Sequence, residues 1–145
     1  GNTSSIELED FSDNILFLGG GLTYYNVKFT GNNASNDRSN QIQGANTFNN
    51  LTFNISDRYG KKVTLYANQT VNGTFTSSGC VVYRLFITSD VIGTARTITA
   101  AAVSLSYTDF RDITGAGAAA SFTGTSIGNI GGNSGITFTS PVTRY

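Results

Sequence analysis

Two stretches of this chain superimpose without a gap at an offset of 24 residues, and no other feature limits its possible architectures as much. Residues 20–29 match residues 44–53, with Tyr24 on Phe48, Asn26 on Asn50, Val27 on Leu51 and Phe29 on Phe53. Each copy reads as an aromatic ring, an apolar residue three positions later and another two after that. A third copy, residues 105–113, keeps Tyr107 and Phe110 three apart but displaces its next apolar residue by one. A period in the low twenties is that of a parallel β-helix, in which one turn visits three short strands and returns above its start. The two triplets are then expected to stack from coil to coil. Asn26 and Asn50 are expected to share hydrogen bonds along an internal ladder, as identical stacked side chains do. The competing architecture is an antiparallel β-sandwich with strands every 8–12 residues.

The local patterns agree with an all-β chain. Short runs rich in β-branched and aromatic residues occupy 15–18, 27–30, 51–55, 63–66, 71–75, 85–88, 97–99, 103–107 and 136–139, each bounded by Gly, Asn, Asp or Ser. Nowhere do apolar residues recur at helical spacing, and the alanine-rich stretch at 115–120 is interrupted by Gly115 and Gly117. Only 12% of residues are charged, so Asn, Ser, Thr and Gly supply the polarity, and these suit tight turns and short strands. Nine basic and nine acidic residues cancel, which removes the electrostatic footprint of a nucleic-acid binder. No apolar run approaches the roughly 20 residues of a membrane-spanning helix. The single Cys80 has no internal partner, and its neighbours Val81 and Val82 predict a small buried side chain. With no Met and an abrupt start at Gly1, the chain is expected to be a segment of a longer polypeptide. The expected layout is a lead-in and first strand at 1–21, a solenoid at 22–138 carrying a polar loop at 30–43, and a linker at 139–145.

The run Lys62-Val63-Thr64-Leu65-Tyr66 through Thr74-Phe75 resembles the strand–turn–strand phrases of pectin-lyase-like right-handed β-helices. The succession through 83–90, 93–99 and 103–113 to Gly131-Gly132-Asn133-Ser134-Gly135 is similar to repeat modules of large phage virion proteins and bacterial secreted surface proteins. The likeness spans residues 22–138. It implies a right-handed parallel β-helix (β-solenoid) of about five to six coils at a virion, extracellular or cell surface. It implies no single activity, because that scaffold hosts lyases, adhesins and inert spacers alike.

Catalytic signals are sparse. Polygalacturonase-like β-helix enzymes use a His-containing motif, and this chain has no His, so general acid–base work would fall to carboxylates alone. The best pair, Asp109 and Asp112 around Arg111, reads as a solvated coil face with an ion pair worth under about 1 kcal/mol. Glu7, Glu9, Asp10 and Asp13 have no calcium-loop spacing and read as a solvated N-terminal stretch. Gly19, Gly20 and Gly21 read as a turn, since no Lys-Ser/Thr follows as a phosphate loop requires. Asn-x-Ser/Thr matches at Asn2, Asn33, Asn50, Asn54, Asn68 and Asn72 are at chance level in so Asn- and Thr-rich a chain. The stronger candidates are aromatics that do not fit the inward pattern: Tyr25, Tyr59 and Tyr83, with Tyr66 beside them. Asn36 and Arg38 in the loop at 30–43 join them, because insertions between matched coils often carry recognition. The expected role is non-enzymatic and structural: a fibre, stalk or decoration segment that associates with itself or with other virion or surface proteins. No cofactor, metal or nucleic acid is expected, and no membrane insertion. A carbohydrate-binding adhesin is the alternative, and a polysaccharide depolymerase a more distant one.

Overall fold

The computed structural model describes residues 3–10, 14–31, 39–54 and 61–139, which form twelve strands and no helix. In chain order they are β1 (Ser5–Asp10), β2 (Leu16–Leu18), β3 (Thr23–Gly31), β4 (Ser39–Gln43), β5 (Thr47–Asn54) and β6 (Lys62–Leu65). Then come β7 (Gln69–Ser78), β8 (Leu85–Ser89), β9 (Arg96–Ser106), β10 (Thr108–Arg111), β11 (Ile113–Ala116) and β12 (Gly128–Gly131). The odd-numbered strands lie side by side in one sheet and the even-numbered strands in a second. Every neighbouring pair is parallel. Parallel neighbours need a crossover, and here each crossover is a strand of the opposite sheet. The chain is therefore a β-solenoid of about five turns, and the sandwich alternative is excluded.

The repeat seen in the sequence is the stacking register. Tyr24 pairs with Phe48, Val27 with Leu51 and Phe29 with Phe53. In the same columns Phe48 continues to Val71 and then Ala100, and Leu51 to Phe75 and then Val103. Each coil supplies two hydrogen-bonded strands, yet the long strand of the odd-numbered sheet turns a corner at its middle. In β5, Phe48 is buried, Asn49 and Asn50 are not, and Leu51 and Phe53 are buried again. The inward phase slips by one residue at that corner, which is why the apolar spacing is three and then two. Each coil thus has three faces. In β7 one extra residue is present: Phe48 and Leu51 face Val71 and Phe75, and the ladder is irregular there on both sides. A β-bulge of this kind bends the strand locally.

The core is one continuous column of side chains between the faces. Phe29, Phe48, Phe53, Phe75, Phe110 and Phe122 are all fully buried. Phe29 and Phe53 sit 5.2 Å apart between ring centroids, and Phe53 and Phe75 5.8 Å apart nearly edge-on. Such geometries add about 0.5–1.5 kcal/mol per pair beyond burial.

Several expectations need correction. The third repeat copy is not in register with the first two, because Tyr107 sits at a corner with φ 46° and Phe110 lies in β10 of the other sheet. The polar loop at 30–43 is not all loop: β4 occupies its end, with Ile42 and Asn40 buried. The run at 136–139 forms no strand, only an isolated bridge from Ile136 to Phe122. The stacked region already includes β1 and β2, ahead of Leu22. Cys80 is half-exposed in the connection from β7 to β8, where Val81 and Val82 are 74% and 70% exposed, so the pair marks a turn and not a buried segment.

Candidate functional site

Polar side chains are organised by the corners. Asn50 donates from Nδ2 to Asn26 Oδ1 at 2.9 Å, and its own Oδ1 accepts the Thr74 amide at 2.8 Å. The expected Asn ladder is present, though on the outer side of the coil and not internal: both side chains are half-buried and line a furrow, and the ladder extends one coil further through backbone. A side chain at position 73 is disfavoured, because a Cβ there would lie 2.5 Å from the Asn49 carbonyl oxygen and 2.6 Å from Asn50 Oδ1. A second ladder runs inside the next corner. Asn46 accepts from Gly21 N at 3.0 Å and donates to Gln69 Oε1 at 3.2 Å, while Gln69 donates to the carbonyls of Gly44 and Ala67, each at 2.9 Å. Asn46 and Gln69 are buried, so these bonds satisfy groups that would otherwise be costly to bury. Gly20 and Gly21, with φ 63° and 74°, form the turn above them, as the sequence suggested.

Two of the shallow furrows on the described surface bear on the predicted and ladder residues. Thr23, Tyr24, Tyr25, Asn49 and Asn72 line one of about 310 Å³. The Tyr25 ring is 37% exposed there, while Tyr24 stacks on Phe48 and donates its hydroxyl to the Gly19 carbonyl at 2.9 Å. The other furrow, about 390 Å³, runs across Asn26, Lys28, Asn50, Thr52, Thr74 and Thr76. Lys28 bridges to Glu7 at 3.0 Å across β1 and β3, and its hydrogen bond holds the Glu7 carboxyl below the usual range. Both side chains are close to half exposed, so the pair contributes little to stability.

Two arginine–carboxylate pairs bracket β8 at its two ends. Arg84 Nε and Nη2 both reach Asp109, at 2.8 and 2.6 Å, and Nη2 also reaches the Ser126 carbonyl at 2.6 Å. At the opposite end of β8, Arg96 grips Asp90 with bonds of 2.7 and 3.1 Å, and those bonds push the Asp90 carboxyl below its usual range. Asp112, with φ 52° and almost fully buried, accepts the Gly93 amide at 3.0 Å. Arg111 lies over the Phe86 ring at 5.3 Å and donates to Thr88 Oγ1 at 3.2 Å. Asp109 and Asp112 are thus engaged separately: Arg84 holds the first, while the second takes the Gly93 amide with Arg111 Nε 4.0 Å away, and Asp112 is buried rather than on the solvated face the sequence suggested.

Of the predicted site residues, Tyr25 lies on a furrow and Tyr83 lies in the turn at 80–83, where its amide donates to Cys80 Sγ at 3.2 Å. The two occupy different corners of different coils and are not brought together. Tyr59, Asn36 and Arg38 lie outside the described residues, as does Asp13. Comparison with protein-family models, with curated proteins and with solved structures found no match. Among the described residues no group of three or more His, Cys, Asp or Glu is arranged to hold a metal ion. The paired roles of Arg84 and Arg96 were missed in the sequence, because each meets a carboxylate fixed only by coil stacking or turn closure.

Proposed function

We propose that this chain is a non-enzymatic structural segment, a stiff spacer or decoration on a virion or cell surface. The observation that carries this reading is the continuous parallel stack from β1 to β11, interrupted in register only at the β7 bulge and bonded at its corners by side-chain ladders. In such a stack each coil is stabilised by its neighbours, so length can grow without redesign, as a spacer requires. Zero net charge with an Asn-, Thr- and Ser-rich composition suits a surface that packs against other protein. Antibodies raised against the folded chain test it. They are expected to decorate intact particles or cells that carry the protein; labelling only after lysis would overturn the surface role.

A second reading is favoured by the Tyr25 furrow, which an exposed Tyr25 lines together with Asn49 and Asn72. An aromatic face with flanking amides is the chemistry that holds a neutral sugar. Binding on a glycan array that disappears in Tyr25→Ala would favour an adhesin over a spacer.

A further inference from the structure

We propose that Asn72 and Gly73 form a self-modification site, at which Asn72 loses ammonia through a succinimide and becomes aspartate or isoaspartate. The site goes beyond the spacer and adhesin readings and depends on neither. Asn72-Gly73 is the one Asn-Gly pair in the chain. Glycine in second place has no side chain to obstruct attack of its backbone nitrogen on the asparagine amide carbon, and it rotates freely. The pair also occupies the β7 bulge. In the register with β5, Val71 is followed by Phe75, and in the register with β9, by Thr74, so Asn72 and Gly73 have no partner residue on either side. Asn72 is exposed, and its side chain makes no hydrogen bond among the described residues. Fixed points flank the pair: Val71 is buried, and the Thr74 amide is held by Asn50 Oδ1 at 2.8 Å. Backbone with few partners opens locally at little cost, which gives the two residues the freedom that ring closure needs. Asn133, followed by Ser134, is the contrasting case. Its Oδ1 accepts the Ile113 amide at 2.9 Å and its Nδ2 donates to the Phe110 carbonyl at 2.7 Å, so its amide is held in place.

The chemistry needs only water. The Gly73 nitrogen gives up its proton to hydroxide and bonds to Asn72 Cγ. The Cγ–Nδ2 bond breaks, and Nδ2 leaves as ammonia after taking a proton from water. Water then opens the succinimide at one of its two carbonyls. Breaking the new Cγ–N bond gives aspartate, and breaking the original peptide C–N bond gives isoaspartate, which carries one more methylene in the backbone. Water enters, ammonia leaves, and nothing is oxidised or reduced. Either product bears a carboxylate, so the net charge falls from zero by one. Asn72 lines the Tyr25 furrow with Thr23 and Asn49, and the new charge therefore appears in a groove whose lining is otherwise neutral.

Peptide mapping by mass spectrometry that resolves isoaspartate, on folded protein kept at mildly alkaline pH, tests this. Asn72 is expected to convert to a mixture of aspartate and isoaspartate at a rate within about tenfold of that in the urea-unfolded chain. Asn133 is expected to convert only in the unfolded chain. Deleting Gly73 places the β-branched Thr74 directly after Asn72 and is expected to slow conversion at least about tenfold. That deletion is compared with wild type in urea as well, so the comparison does not depend on its folding. A folded chain that keeps Asn72 intact while the unfolded chain loses it would overturn the site. So would aspartate without isoaspartate, or a deletion variant that converts as fast as wild type.

Discussion

Asn50 shows how one residue can be legible in sequence and still do more than the sequence suggests. Its match with Asn26 at the repeat offset announced a ladder, and the hydrogen bond between them is present. Its second bond, to the Thr74 amide, was hidden because the extra residue in β7 breaks a gapless alignment. Asn50→Ala leaves that amide without its acceptor and is expected to cost about 1–3 kcal/mol in denaturant unfolding; a loss within error of zero would contradict the ladder's role. Cys80 illustrates the opposite case. Two valines beside a cysteine look the same in sequence whether they line a core or cap a turn, and only the corner position distinguishes them. Asp90 supplies a prediction with a sign. Its folded pKa is lowered by Arg96, so the pair's stabilisation is fully present above the ordinary Asp value of about 3.9 and is lost as pH falls through the lower folded value. The difference in melting temperature between wild type and Asp90→Asn is therefore expected to hold steady at neutral pH and to shrink below about pH 4. A difference that grows on acidification would refute the pairing.

At the level of the strand, the spacing of three and then two proved to be a corner. Inward residues alternate along each straight piece, and the phase slips once where the chain turns. The sequence displayed this in β3 and β5 because both carry large apolar residues at all three inward positions. It concealed β4, whose inward positions are Asn40 and Ile42: a buried Asn, bonded at 3.3 Å to the Ile15 amide, does not look like strand core. It also concealed the place of Phe110, since a corner made by Tyr107 alone leaves no loop to read. The bulge in β7 makes a test of the corner. Deleting Gly73 gives β7 the same spacing as β5 and β9 on either side, so the deletion is expected to fold with a melting temperature within a few degrees of wild type. Gly73→Val, which keeps the length but drives carbon into the Asn49 carbonyl, is expected to destabilise by about 1–3 kcal/mol. If the deletion unfolds the protein and the valine does not, the corner is misassigned. Phe53→Ala, in the middle of the ring column, is expected to cost about 3–5 kcal/mol.

For the molecule as a whole, stability resides in contacts between successive coils, and among the described residues the strand contacts run from each coil to the next. This makes the fold tolerant of insertions at corners, which is where the connections at 79–84 and 90–95 are found. Outward side chains repeat in the same way as the core. Glu7, Lys28, Thr52, Thr76 and Ser104 stand in one file across five neighbouring strands. That file provides the most direct measurement. With Cys80 replaced by Ser, spin labels at positions 7 and 104 are separated by four strand intervals of about 4.8 Å, so a backbone separation of about 19 Å is expected. Electron–electron distance measurements should give a single narrow distribution compatible with that separation, and labels at positions 28 and 104 one about 5 Å shorter. Equal distances for the two pairs, or a broad distribution far from these values, would contradict a wound parallel stack.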